Sequence, residues 1–198
     1  MKKSQEKFII GIDEVGRGPL AGPVAVGVAM GTKNAIKKFR SIKESKQLTP
    51  KLREEWYAKI CGRESGVRFS VAFVSAKRID QKGINPSIRS ALARALKKLD
   101  PPPEHSLVLL DGGLRAPDRY LNQKTIIRGD ASETIIAIAS VVAKVERDRR
   151  MVALHKKYPA YGFDRHVGYG TKAHITAIKK HSPSREHRLS YLRNILPQ

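Results

Sequence analysis

Only 18 aspartates and glutamates stand against 39 lysines and arginines in this 198-residue chain, so the placement of each acid is informative. Asp13 ends IIGID with Glu14 beside it, Asp111 ends LVLLD, and Asp130 follows TIIRG. Three aspartates thus stand at or just past the ends of apolar, strand-like runs. A carboxylate buried without a partner costs several kcal/mol, about the scale at which it protonates instead. Any one of them alone reads more simply as a helix cap or as the partner of an arginine such as Arg17 or Arg128. Three at equivalent places, with Glu14, point to a positive ion among them. Carboxylate oxygens at strand ends suit hard cations: magnesium keeps part of its water shell, and manganese accepts the same ligands. Two such ions about 3.5–4 Å apart can activate a water and stabilise the leaving oxygen of a phosphodiester.

The charge balance names the matching partner. A formal charge of +21 predicts attraction to a polyanion, and nucleic acid comes first. On composition alone a ribosomal-type protein that only neutralises phosphate explains it equally well; an acidic pocket within a basic chain has the charge layout of a nuclease. No G-x-x-x-x-G-K-[ST] loop is present, which argues against a nucleotide-hydrolysing enzyme. Cys61 is the sole cysteine, so no intrachain disulfide and no thiol cluster for zinc can form, and a reducing compartment is expected. The apolar run at residues 8–12 is cut by Asp13 and is too short for a leader peptide, and the run at 135–142 is far below a membrane span. A soluble cytoplasmic protein is therefore expected.

Several elements must position these acids. Residues 8–12 and 24–30 read as buried strands joined by GRGPLAGP, which has to turn, so the pair forms a hairpin with an elaborate bend. Thr49 before Pro50 is a cap-then-proline signal for a helix to about residue 64, and Asn85 before Pro86 repeats it. Ile88, Ala91, Leu92, Ala95, Leu96 and Leu99 then recur on one helical face, and prolines 101–103 end that helix. Strands are expected at 67–74, 107–110 and 125–127. A long helix is expected from Ser132 to about His155, with Ile135, Ala139, Val142 and Ala143 inward, and a last helical piece from near His187. Strands alternating with helices give an α/β sheet covered by helices, plus a small C-terminal helical segment.

The segment GIDEVGRGPLAGP at residues 11–23 closely resembles the opening signature of ribonuclease HII, the type 2 ribonuclease H. The likeness continues through SKQLTP at 45–50, LLDGG at 109–113, GDASETIIAIASVVAKVERDRRM at 129–151, YPAYGFDRHVGYGTKAH at 158–174 and HRLSY at 187–191. These segments stand in family order and cover most of the chain. The resemblance implies a ribonuclease H-like fold: a mixed five-stranded sheet flanked by helices, with residues 1–155 as the catalytic domain and 156–198 as a substrate-contacting helical segment of the same unit. It carries the four catalytic, metal-binding carboxylates onto Asp13, Glu14, Asp111 and Asp130, with magnesium or manganese as cofactor and two ions expected during catalysis. Gly16, Arg17 and Gly18 match the segment that contacts the ribonucleotide and the following phosphate, and Tyr169 matches the tyrosine that reads the 2′-hydroxyl.

Glycines at 16 and 18 would let backbone amides approach a sugar and phosphate, or would serve only a tight turn. Tyr169 offers a ring to stack and a hydroxyl to bond, or is an ordinary half-buried core tyrosine. Lys46 and Lys144 are candidate phosphate contacts among many lysines, and Asp148 reads as a structural ion-pair former. Glu44 stands where the family commonly has aspartate, and Ile138 interrupts an alanine-rich run. The implied activity is hydrolysis on the 5′ side of a ribonucleotide in RNA–DNA hybrids, or at single ribonucleotides in duplex DNA, leaving 5′-phosphate and 3′-hydroxyl ends. A non-catalytic hybrid-binding protein and a resolvase of the same superfamily are the rival readings. No protein partner is legible, and a monomer is expected.

Overall fold

The computed structural model describes residues 8–196, and the apolar run at residues 8–12 weighed above lies within the first strand. Strands β1 (Phe8–Val15), β2 (Val24–Gly31), β3 (Val67–Val74), β4 (Ser106–Asp111) and β5 (Gln123–Ile126) form one sheet in the order β3-β2-β1-β4-β5. β1 and β2 are the antiparallel hairpin, with Asp13 opposite Gly27, and β3 adds antiparallel to β2, with Phe73 opposite Ala25. β4 runs parallel to β1, Leu110 beside Ile12, and β5 runs parallel to β4. These directions bring the ends of β1, β3, β4 and β5 and the start of β2 to one edge. The mixed sheet implied by the resemblance is present.

The helices are α1 (Lys33–Lys37), α2 (Pro50–Cys61), α3 (Ala76–Lys82), α4 (Ile84–Leu99), α5 (Gly129–Ser132), α6 (Thr134–Lys157), α7 (Phe163–His166) and α8 (Lys172–His181). Strand side chains alternate between faces, so Ile10, Ile12, Val26, Val28 and Leu110 meet the apolar stripe of α4. Ala29 and Leu109 share the other layer with α6. Every residue from Ile135 to Ala143 is buried, not only the four inward positions expected, because α6 is covered by the sheet on one side and by Phe39, Ile42, Leu48 and Ile60 on the other. Ile138 is fully buried within that layer. Among the described residues no helix is long and apolar enough to cross a membrane.

Two glycines set how close α6 comes. A Cβ at Gly11 would lie 2.2 Å from the Ile135 carbonyl oxygen, and one at Gly27 would lie 2.4 Å from that of Ala139. Only strands without side chains at these points let the helix backbone rest directly on the sheet.

Several boundaries depart from expectation. The Thr49 hydroxyl does cap α2, but the helix stops at Cys61 because Gly62 turns extended. α4 begins at Ile84, after Gly83 at φ +81°, so Asn85 lies inside the first turn and caps nothing. β5 starts two residues early and ends before Ile127, which is exposed. The predicted long helix is present as α6, shifted two residues later at each end, and a separate short helical turn, Gly129–Ser132, precedes it. α3 and α8 were not foreseen, though Ser75 and Thr171 cap them. The last helical piece is α8, while near His187 there is only the 3-10 turn Leu189–Tyr191. Residues after α6 share a third core of Ala21, Met151, Tyr161, Phe163, Ile178 and Leu192, which joins them to the β1–β2 loop.

Gly27→Ala is expected to lower stability by about 1–3 kcal/mol, since α6 must move away from the sheet. Gly113→Ala, where an added Cβ meets nothing within 4 Å, serves as the near-neutral control. Thermal unfolding of both variants would decide it, and equal melting temperatures would contradict the close-approach account.

Candidate active site

Asp13 lies near the end of β1, Asp111 is the last residue of β4, and in parallel register they are neighbours on the α6 side of the sheet. Asp130 is not on a strand; α5 carries it. The Gly129 amide donates to Asp111 Oδ1 at 2.7 Å and so ties the start of α5 to the end of β4. Glu14 follows Asp13 with a half-buried side chain. The four predicted carboxylates therefore meet at one edge of the sheet.

At Asp13, Glu14 and Asp130 the environment disfavours charge. Burial above all, then the neighbouring Glu14, Asp111 and Asp130 carboxylates, push the Asp13 pKa up to about 8, against a hydrogen bond from Ser140 that favours the anion. Burial and Asp111 likewise raise Glu14, with Arg17 opposing. Burial, Asp111 and Glu44 raise Asp130, with Lys46 opposing. Among the described residues the only ion pair to any of the four is the loose contact of Arg17 Nε with Glu14 Oε1 at 3.7 Å. A buried acidic group so poorly neutralised fits a divalent cation, whose charge would reverse these shifts. No three acidic, histidine or cysteine side chains among the described residues converge enough to enclose an ion alone. The open arrangement suits an ion that keeps several waters and borrows ligands from a substrate phosphate.

The loop at residues 16–23 sits beside this edge and is held from beneath by two fully buried arginines. Arg188 donates from Nη2 to the Gly16 carbonyl (2.7 Å), from Nη1 to that of Arg17 (2.9 Å) and from Nε to that of Gly22 (3.1 Å). Arg147 donates from Nε to the Pro23 carbonyl (2.9 Å) and from Nη1 to that of Val167 (3.1 Å). With the carbonyls of Gly16, Arg17 and Gly22 bound from within, the amides of the exposed residues Arg17 and Gly18 donate to no group among the described residues. The two glycines separate here. Gly16 has φ +88°, and a Cβ there would strike Arg147 Nε at 2.2 Å, so the fold itself requires it. Gly18 has nothing within 4 Å, so no packing contact requires a glycine there. The Arg17 side chain bonds Asn85 Oδ1 at 2.8 Å, which is what Asn85 does instead of capping.

Tyr169 is 43% exposed and belongs to none of the three apolar clusters. Its carbonyl is fixed by a chain of histidines whose proton positions follow from their partners. The Ser184 amide donates to His187 Nδ1 (3.0 Å), so that ring carries its proton on Nε2 and donates to His174 Nε2 (3.1 Å). His174 must then hold its proton on Nδ1, which donates to the Tyr169 carbonyl (2.8 Å). Burial, chiefly, pushes both rings down to about 4, so they stay neutral.

Lys46 is exposed and close enough to favour ionised Glu14 and Asp130, in keeping with a phosphate contact. Lys144 is mostly buried and donates to Asp148 at 2.9 Å, and Arg53 also reaches Asp148, so Asp148 is the expected ion-pair former and Lys144 is engaged inside the protein. Sequence reasoning passed over Ser45, Ser140, Arg147, His174, His187 and Arg188. Ser45 and Ser140 are 2.8 Å apart and link the loop before α2 to Asp13. All six fall within the motif segments, but nothing in their local pattern marked them as buried.

A family model described as Ribonuclease HII matches residues 10–194. A Ribonuclease HII of Caldicellulosiruptor bescii is 44% identical over 191 residues, which span 96% of this chain and 89% of that protein. In three dimensions the chain is similar to ribonuclease H2 from Pyrococcus horikoshii OT3, with a TM-score of 0.77 and 27% identity over 95% of this chain and 96% of that one. It is also similar to the PCNA:RNase HII complex structure from Archaeoglobus fulgidus, with a TM-score of 0.74 and 25% identity over 96% of both chains.

Because the folded state raises the Asp13 pKa from 3.8 to about 8, its contribution is favourable below the unfolded value and is lost as pH rises through that window. Asp13→Asn should therefore melt above the wild type at about pH 8 in chelator, with the gain vanishing near pH 4. Added magnesium or manganese should raise the wild-type melting temperature more than the variant's. A variant less stable than wild type at every pH would contradict the electrostatic account.

Proposed function

The chain belongs to the ribonuclease HII family, and we propose that its clustered carboxylates cut the phosphodiester on the 5′ side of a ribonucleotide, both within RNA–DNA hybrids and at single ribonucleotides in duplex DNA. It is a ribonuclease H, a hydrolase of RNA in hybrid duplexes. The observation that carries the finer reading is the juxtaposition at one sheet edge of four acids with a loop whose carbonyls are bound by a buried arginine and whose Arg17 and Gly18 amides are left without a partner among the described residues.

Asp13, Glu14, Asp111 and Asp130 would hold magnesium or manganese. Two such ions, when bound, supply an activated water and stabilise the leaving 3′-oxygen. Asp13 and Asp130 serve the water side, and Glu14 and Asp111 the leaving-group side. The Arg17 and Gly18 amides receive sugar and phosphate, with Gly16 shaping the turn. Lys46 bonds a phosphate near the acids, and the exposed Tyr169 ring packs on the sugar whose 2′-hydroxyl distinguishes RNA from DNA. Residues 156–198 are a substrate-contacting part of the same unit. We read the protein as a cytoplasmic monomer acting on nucleic acid; the PCNA complex is a property of the Archaeoglobus relative.

A labelled duplex carrying one ribonucleotide, incubated with magnesium, manganese or chelator, tests this. Asp13→Asn, Asp111→Asn and Asp130→Asn should each lose most cleavage while keeping fold and salt-dependent binding. Near-wild-type turnover in two of the three would overturn the assignment.

Tyr169→Phe removes at most a hydrogen bond worth about 0.5–1.5 kcal/mol, whereas Tyr169→Ala also removes the ring. Alanine should therefore cost more, and more on a single embedded ribonucleotide than on a long hybrid with many further contacts. Kinetics on both substrates, alongside a circular dichroism melt, would reveal equal losses if the ring has no part in recognition.

A further inference from the structure

On the same edge of the sheet as the acids, two strands away, lies a cleft of about 580 Å³ at the corner where β2 begins and β3 ends. Its cations come from three helices far apart in sequence: Arg78 on α3, Arg94 on α4, and Arg150 and Lys157 on α6. Scattered lysines and arginines on a basic protein are ordinarily just solvated. Here two of the four are fixed. Arg94 Nη2 donates to the Phe73 carbonyl at 2.6 Å, and the Arg150 guanidinium lies 4.9 Å from the centre of the Phe73 ring. Arg78 and Lys157 are exposed and pair with no carboxylate among the described residues. Glu186 is the one acid on the wall, and Arg185 lies beside it at 3.6 Å.

The register places this cleft relative to the cut. Val15, Ala25 and Phe73 form one line across β1, β2 and β3. With strands about 4.8 Å apart, Phe73 is roughly 10 Å from the strand that carries Asp13 and Glu14. The loop at 16–23 lies between them and ends at Pro23, itself on the cleft wall. A duplex advances about 3.4 Å per base pair, so this separation is about three base pairs.

Building on the nuclease reading, we propose that the cleft is a second backbone subsite, in which Arg78, Arg94, Arg150 and Lys157 hold phosphate of the same duplex about three base pairs from the cut. Such an attachment carries no sequence information; it fixes the register of the duplex over the acids and demands a minimum length on one side.

The test uses the double variant Arg78→Ala/Lys157→Ala and a control of equal charge change, Lys33→Ala/Lys37→Ala, whose exposed lysines stand on α1, beyond the end of β2 and so at the opposite edge of the sheet. Cleavage of one-ribonucleotide duplexes, full length or truncated from either end, is followed over a range of salt. On the full-length duplex the cleft variant should show a several-fold higher KM, unchanged kcat, and a salt slope shallower by about 1 for each phosphate that is no longer neutralised. The control pair should stay near wild type, and truncation from one end should erase the difference. A cleft variant indistinguishable from the control, or weakened equally on every truncated duplex, would overturn the proposal. If the wild type fails to cleave at all, the nuclease reading fails separately, and Kd values of the same duplexes from fluorescence anisotropy still judge the cleft by the same comparison.

Discussion

The backbone contact of α6 with β1 and β2 sets the position of nearly every functional group. Gly11 and Gly27 let the carbonyls of Ile135 and Ala139 rest where any side chain would collide. From that seat α6 delivers Ser140 to Asp13 and Arg147 to the underside of the 16–23 loop. Asp130 stands just ahead of its first turn, tied to β4 by the amide of Gly129. A helix held off by one methyl group would shift all of these together. Close packing is thus a positional constraint here as much as an energetic one.

Electrostatics add a second constraint, and magnitudes decide which effect wins. A formal charge of +21 by itself favours ionised carboxylates. Yet charges beyond about 8 Å are largely screened at physiological ionic strength, while the desolvation of Asp13 and its acidic neighbours act at close range. Local burial dominates, and Asp13 is pushed up to about 8 despite the basic surroundings. A positive charge placed among the acids would reverse that, where more distant basic residues do not.

The hairpin, the capped α2, the apolar face of α4 and the acids at strand ends were legible in the sequence because each depends on local pattern: strand-like runs, a cap followed by proline, helical spacing. Asp130 showed what pattern misses, since it follows an apolar run but is placed by a four-residue helical turn. The C-terminal part was least legible. α8 has a threonine cap yet only two buried residues, so its apolar signal is faint. Arg147 and Arg188 look like surface cations in any basic chain, and nothing local shows that backbone carbonyls from more than a hundred residues away surround them.

Those two arginines explain why the segment after α6 is more than an appendage. A fully buried guanidinium is tolerated only where acceptors replace its water. Here the acceptors are the carbonyls of a loop that, left alone, would have to satisfy them with solvent. Each side solves the other's problem: the loop solvates the arginines, and the arginines fix the loop's carbonyls inward. The neutral His187–His174 pair does for the Tyr169 turn what a charged group could not, since protonating either ring would set two donors face to face. Backbone geometry at residues 16, 17 and 169 is therefore set in part from His187 and Arg188, which lie beyond α8 in the chain.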